Sequence, residues 1–172
     1  MSSDDQRHQH TDGSTATDAS NTTGWSALKG LVGTWKTEAT DDMPASTVEF
    51  TLTAGGQVLV ERLFCDTPME MVSVYYRDSS GITMTHYCVA GNQPEMRAAL
   101  HLDNNKLAFH FAGGKNIDFA RGMHIHGGSF TFESDGSVQS EWNIWQDGKL
   151  DGQHQLKMIR VNVKKARQTS TK

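Results

Sequence analysis

Two histidines one residue apart, His124 and His126, stand in the stretch Gly122-Met123-His124-Ile125-His126-Gly127-Gly128-Ser129-Phe130-Thr131-Phe132. Its alternation predicts a β-strand, with His124, His126, Gly128, Phe130 and Phe132 on one face. Same-face neighbours on a strand are about 6.5 to 7 Å apart, within reach of one metal ion or one small ligand. Glu61 and His86 are the residues expected to join them in chemistry, while Glu141 and His154 fall in a lower tier, too far to share one ion with His126. What they can do depends on the elements that carry them and on which face looks inward.

From Gly33 to about Val163 the chain shows strand after strand with turn signals at short intervals, the pattern of an all-β barrel or sandwich. Ten strands are expected, at 33-40, 45-54, 57-64, 69-77, 82-90, 94-102, 106-113, 122-133, 137-146 and 149-162. One or two helical turns, Trp25 to Val32, precede them. Residues 1-24 are polar, with too few apolar side chains to fold, and read as a disordered leader. Residues 164-172 read as a flexible basic tail. His8 and His10 in the leader repeat the H-x-H spacing without a frame to hold it. Asn21-Thr22-Thr23 matches a glycosylation sequon that matters only on a secretory route.

Four turns suit two-residue hairpins and so fix register: Gly55-Gly56, Asn104-Asn105, Asp135-Gly136 and Asp147-Gly148. The first sets Phe50 opposite Glu61 and puts Glu61 on the core face with Val48, Leu52, Leu59 and Leu63. The second gathers Met96, Ala98, Leu100, Leu102, Leu107, Phe109 and Phe111, and turns Arg97, His101 and His110 outward. The third sets Phe132 opposite Gln139 and Phe130 opposite Glu141, so that Glu141, Asn143 and Trp145 join the face of His124 and His126. The fourth sets Trp145 opposite Leu150 and Glu141 opposite His154, extending that face to Leu156, Met158 and Arg160. Phe130, Phe132, Leu150, Leu156 and Met158 mark it as interior. The opposite face, with Val138, Trp142, Ile144 and Ile159, is then free for a subunit contact in a homodimer. The connection Asp78-Ser79-Ser80-Gly81 places Met71, Ser73 and Tyr75 with Met84, His86 and Cys88.

In an up-and-down barrel alternate turns share an end. The longer connections, Cys65-Asp66-Thr67-Pro68, Ala90 to Pro94 and Gly113 to Arg121, fall together and mark a functional mouth, with His124 and His126 beside it. The opposite end carries Trp35, Arg160 and the helix. The expectation is therefore an all-β chain, a ten-stranded antiparallel up-and-down barrel with a short N-terminal helix closing one end.

Composition narrows the partners. At 172 residues, 36% hydrophobic and 21% charged, the chain makes one domain with a real core. A net charge of −4 and a pI near 6.0 give no footprint for nucleic acid or an anionic membrane surface. No apolar run is long enough to span a bilayer. Two cysteines, Cys65 and Cys88, make no disulfide framework, and no secretory signal is evident, so a cytoplasmic location is expected.

Gly33-Thr34-Trp35 after a short helix, with an arginine on the last strand, resembles the lipocalin-like (calycin) barrels, in which the tryptophan packs under that arginine at the closed end. Thr85-His86-Tyr87-Cys88, then Gly91-Asn92-Gln93-Pro94-Glu95-Met96, then His124, resembles a group of bacterial lipocalin-like domains of unknown function. The likeness spans residues 25-163 and implies a barrel with an internal ligand cavity. More distantly, nitrobindin-type barrels are similar, and that likeness implies haem held by a histidine near the C-terminus, for which His154 in Gln153-His154-Gln155-Leu156-Lys157 is the comparable position.

Three functions follow as expectations. A small organic ligand would be held in an apolar cavity by Tyr75, His86, Met96, His124, His126, Asn143, Trp145 and His154. An isomerase, lyase or hydrolase would use His86, Glu61 and His124 as catalytic groups, since a buried Glu61 has its pKa raised toward the range of an imidazole. Alternatively His124, His126 and His86 would hold a divalent metal that activates water. Haem is the third reading. In the core reading the histidines only satisfy one another and Glu61.

Overall fold

Hairpin chemistry orders the barrel. The computed structural model describes residues 23–40 and 43–161. The leader residues before Thr23, including His8, His10 and the sequon's Asn21, and the tail 164-172 lie outside the described residues.

Helix α1 (Gly24–Gly30) is followed by β1 (Gly33–Thr37), β2 (Thr47–Thr53), β3 (Val58–Leu63), β4 (Met71–Asp78), β5 (Gly81–Tyr87), β6 (Gln93–Ala98), β7 (Lys106–Lys115), β8 (His124–Phe132), β9 (Val138–Gln146) and β10 (Lys149–Arg160). Each strand pairs antiparallel with its sequence neighbours, and β1 pairs with β10, giving a closed ten-stranded barrel. No helix among the described residues is long and apolar enough to cross a membrane.

One end is covered by α1. Thr23 caps α1 by accepting from the Ser26 amide at 3.2 Å, and the Gly24 amide donates to the Leu100 carbonyl at 2.6 Å. Trp25, Leu28 and Leu31 are thereby buried against the barrel. Trp35 donates from Nε1 to the Leu31 carbonyl at 2.7 Å, and the Arg160 guanidinium lies 4.2 Å from the centroid of its ring. Arg160 also donates to the Val32 carbonyl at 2.7 Å and to the Gly30 carbonyl, so the end of β10 is tied to the exit of α1. Above this floor Phe50, Tyr75, Phe109, Phe130 and Trp142 meet edge-on or tilted, with centroids 5.6 to 6.3 Å apart.

From β2 to β7 the expected faces hold. Phe50 lies opposite Glu61, Ser73 opposite His86, Tyr75 opposite Met84, and Arg97 and His110 face out. From β8 to β10 they change. The turn after β8 is not a two-residue loop: the Glu133 amide donates to the Ser137 carbonyl and the Gly136 amide to that of Glu133, while Asp135 accepts from the amide and hydroxyl of Ser137. With Gly136 at φ 83° the loop takes one more residue, as a type I turn ending in a left-handed position does. Phe132 therefore faces Val138 and Phe130 faces Ser140, rather than Gln139 and Glu141.

Two bulges complete the shift. His126 is the extra residue between the pairs Ile125–Ile144 and Gly127–Asn143, and Asp151 the extra residue between Leu150–Trp145 and Gly152–Ile144. Glycine permits the first: a Cβ on Gly128 would stand 2.2 Å from the Trp142 ring. Val138, Ser140, Trp142 and Ile144 consequently share the inward register, and Glu141, Asn143 and Trp145 the outward one, the reverse of expectation. Of the four apolar residues assigned to a subunit contact, only Ile159 is exposed, because Val138 and Trp142 belong to the core and Ile144 lines the interior.

The Arg160 tie generates a prediction. Arg160→Ala should lower unfolding stability by about 1–2 kcal/mol, the loss of a cation–π contact and two charge-assisted hydrogen bonds discounted for exposure. Denaturant titration would measure it, and hydrogen exchange should show the amides of Gly24–Gly30 losing protection before those of β3 to β5.

Candidate functional site

At the end opposite α1 the barrel is not filled. A cavity of about 160 Å³ opens between β3, β4, β5, β8, β9 and β10. Its walls are soft: Met43, Met69, Met71, Met84, Met123 and Cys88 contribute sulfur, and Leu63, Phe64, Val89, Ile125, Trp142, Ile144 and Leu156 contribute hydrocarbon. Five of the chain's eight methionines meet here. Unbranched thioether side chains adapt to a guest more readily than aliphatic branches do. Met69 and Val89 are about half exposed, at 54% and 48%, and form part of the rim.

Three polar side chains reach this wall: Ser73, His86 and His154. The first two belong to a buried row built by register, since Glu61 pairs with Ser73 across β3 and β4, and Ser73 with His86 across β4 and β5. Ser73 Oγ is 3.0 Å from His86 Nδ1, and the Tyr75 hydroxyl donates to Glu61 Oε2 at 2.6 Å. Glu61 is only 1% exposed, and its Oε1 has no hydrogen-bond partner. Ser73 is near enough to favour the ionised carboxyl, but its hydrogen bond goes to His86.

Burial pushes the Glu61 pKa from 4.5 up to about 7, against the pull of the Tyr75 and Ser73 hydroxyls. The same burial pulls His86 from 6.5 down to about 4, so its imidazole is neutral at neutral pH. The Tyr75 hydroxyl is pushed well above its usual range by burial and by the Glu61 charge, and stays protonated. Near neutrality the row therefore holds a carboxyl poised between its two forms, next to two hydroxyls and a neutral ring.

His124 and His126 form a separate cluster. His124 Nε2 and His126 Nδ1 are 2.9 Å apart, and His126 is stacked between Phe111 at 4.2 Å and Trp145 at 3.7 Å between centroids. Phe119 covers His124 edge-on at 5.7 Å. The Asn92 side chain donates to the Met123 carbonyl at 2.6 Å and fixes the start of β8 to the β5–β6 connection. Burial lowers the pKa of both histidines; at His124 the Gly122 carbonyl opposes it, and at His126 the neighbouring His124 adds to it. His124 Nδ1 is buried without a hydrogen bond.

Of the residues expected in one site, Glu61, Tyr75 and His86 come together, and His154 stands on the cavity wall. Met96 is packed in the core and does not line the cavity. His124, His126, Asn143 and Trp145 do not line it either, because the His126 bulge and the longer turn carry them to the other register. Asn143 accepts from Gln153 at 2.9 Å, and Glu141 lies 3.9 Å from Lys106. The metal set His124, His126 and His86 is not assembled, and among the described residues no three His, Cys, Asp or Glu are grouped to hold a metal ion. Haem does not fit the cavity: about 160 Å³ is well below the roughly 300–1,000 Å³ of pockets for drug-sized ligands, and a haem is larger than most of those.

Sequence reasoning missed Ser73 as the bridge, although the pairing of Ser73 with His86 was available from the Asp78–Gly81 turn. It also missed Trp142, Ile125 and Ile144 as walls, which the in-strand glycines could have signalled. No family model matches the chain, and no curated protein matches it.

The two shifted groups make opposite pH predictions. Glu61 binds its proton more tightly folded than unfolded, so its contribution is present below pH 4.5 and lost as pH rises through 7; at about 1.4 kcal/mol per pH unit the loss is about 3 kcal/mol. His86 resists protonation when folded, so its contribution is present above pH 6.5 and lost as pH falls toward 4, by about the same amount. Between pH 4.5 and 6.5 the slopes cancel. Relative to wild type, Glu61→Gln should therefore gain stability with rising pH and His86→Gln should gain it with falling pH, measured by denaturant titration across that range.

Proposed function

We propose that this chain is a lipocalin-like barrel that binds a small, mainly apolar organic molecule at its open end. The observation that carries the reading is the cavity itself, a methionine-lined void above a barrel whose other half is filled with interlocked aromatic rings. Empty apolar space of this kind forfeits dispersion contacts, and a cavity of about 150 Å³ is known to take up benzene. The buried part of the ligand is accordingly about one aromatic ring in size. Ser73 and His86 supply the few polar groups that orient a guest in an otherwise apolar pocket. Two free thiols, Cys65 and Cys88, support a reducing, cytoplasmic setting.

Acid–base catalysis on such a guest is the second reading, favoured by Glu61, whose carboxyl is buried with one oxygen unpartnered and its pKa raised to about 7. A metal-dependent variant of that reading has no support from the residue placement.

Filling the void tests the first reading. Ile144→Phe and Ile125→Phe add bulk from half-buried wall positions. Each should weaken uptake of toluene about tenfold or more while leaving the melting temperature equal or higher, since a filled void regains contacts. Calorimetric or NMR titration would measure it; undiminished uptake would sink the cavity as the binding site.

A further inference from the structure

We propose that Glu61, Ser73 and His86 form a tautomer relay that sets whether the cavity offers a hydrogen-bond donor or an acceptor to its ligand. The inference rests on the binding reading above and adds the chemistry by which the ligand's polar group is recognised. Its ligand class is an apolar ring carrying one hydrogen-bonding group, with the group seated at His86.

The geometry leaves little choice of path. Glu61, Ser73 and His86 occupy facing positions on three adjacent strands, and His86 Nδ1 is engaged by Ser73 at 3.0 Å. Nε2 is the nitrogen left for a guest, and His86 is on the cavity wall. At the other end Tyr75 occupies Glu61 Oε2, which leaves Oε1 as the unpartnered acceptor in a fully buried setting. An unpaired buried carboxyl oxygen costs free energy, and Ser73, the residue opposite Glu61 across β3 and β4, carries a hydroxyl in the same row.

A serine hydroxyl has one proton to give, and this couples the ends. When Glu61 is protonated, its O–H donates to Ser73 Oγ. Ser73 then donates to His86 Nδ1, and the ring carries its proton on Nε2, a donor facing the cavity. When Glu61 is ionised it accepts from Ser73. Ser73 then accepts from Nδ1–H, and Nε2 becomes an acceptor. Passing from the first state to the second, one proton leaves Glu61 to solvent. The imidazole proton moves from Nε2 to Nδ1, with no change in the charge of the ring and no covalent bond between heavy atoms altered.

Other groups facing this row are few. On β4 there is Tyr75, whose proton is held; just after β5 Cys88 lines the cavity; on β10 His154 stands on the wall and is exposed. Arg62 on the outer face of β3 pairs with Glu49 of β2 at 2.9 Å and with Glu70, in the β3–β4 connection, at 2.8 Å. His154 carries the other imidazole on the cavity wall, so the test includes its removal.

Three probes of ring size separate the possibilities: toluene, which has no hydrogen-bonding group; benzonitrile, an acceptor only; and pyrrole, a donor only. None titrates between pH 5.5 and 8.5, a range that brackets the Glu61 value of about 7. Dissociation constants measured by NMR titration should show benzonitrile favoured at the low end and pyrrole at the high end, with their affinity ratio falling about tenfold or more, the effect of trading a hydrogen bond for an unpaired polar group. Toluene affinity should not move. Glu61→Gln and Ser73→Ala should each make the ratio independent of pH, and His154→Gln should leave the wild-type behaviour in place.

Toluene failing to bind would overturn the binding reading. Toluene binding with a constant benzonitrile-to-pyrrole ratio in the wild type would overturn the relay alone. A ratio that still shifts in Ser73→Ala, or stops shifting in His154→Gln, would also overturn it. Should Glu61→Gln fail to fold, Ser73→Ala decides the matter.

Discussion

Three residue pairs close this barrel: Trp35 with Arg160, Lys36 with Ile159 and Thr37 with Met158. Without them the ten strands would be an open sheet with two unpaired edges. Buried side chains of the helix and of β1 gather around that short seam. Trp35 is pinned between the Leu31 carbonyl and the Arg160 guanidinium, and α1 is held over the seam by the same arginine. Above the seam, among the described residues, β10 from Lys149 to Leu156 pairs with β9 alone. Strands flanked on both sides at the floor bring their side chains to close packing. At the mouth the wall has lost one flank, and the space is bounded instead by methionines and by His154 on that free stretch of β10.

The same division explains what could be read from the residues alone. The Trp35–Arg160 contact was implied by the resemblance that the G-x-W stretch carries. Ten strands and the helix before them were legible directly, because alternation and turn chemistry are local signals. So were the faces of β2 to β5, where the Gly55-Gly56 and Asp78–Gly81 turns set a register that no bulge disturbs. That is why Glu61, Tyr75 and His86 emerge together. Each bulge in the remaining sheet adds a residue to a pattern whose period is two, and one residue is enough to exchange the faces.

All three bulges sit beside glycines within strands: Ala112 before Gly113-Gly114, His126 before Gly127-Gly128, and Asp151 before Gly152. Glycine inside a strand is the sequence signal for such an interruption. It was outweighed on β9 by an ambiguous composition, since Val138, Trp142 and Ile144 make as good an inner face as Asn143 and Trp145 beside Phe130. Hydrophobicity could not arbitrate between two faces that both carry tryptophan. The close approach of Trp142 to Gly128 does so, and that is a tertiary fact. His124 and His126, the most conspicuous pair in the sequence, accordingly serve an aromatic stack rather than the cavity.

The mouth of the barrel combines two features that each oppose stability. A void lacks dispersion partners, and a carboxyl buried with an unpartnered oxygen lacks the solvation it had in water. Apolar residues at positions 61 and 73 would remove the second cost, and bulkier walls would remove the first. The two costs meet on β4 and β5, where Ser73 and His86 belong both to the buried row and to the cavity wall. A guest with an apolar ring and one polar group would supply the missing contacts and a partner for His86, while the cost at Glu61 is met within the row, by protonation or by the Ser73 hydroxyl. The void and the buried carboxyl are thus linked only through Ser73 and His86.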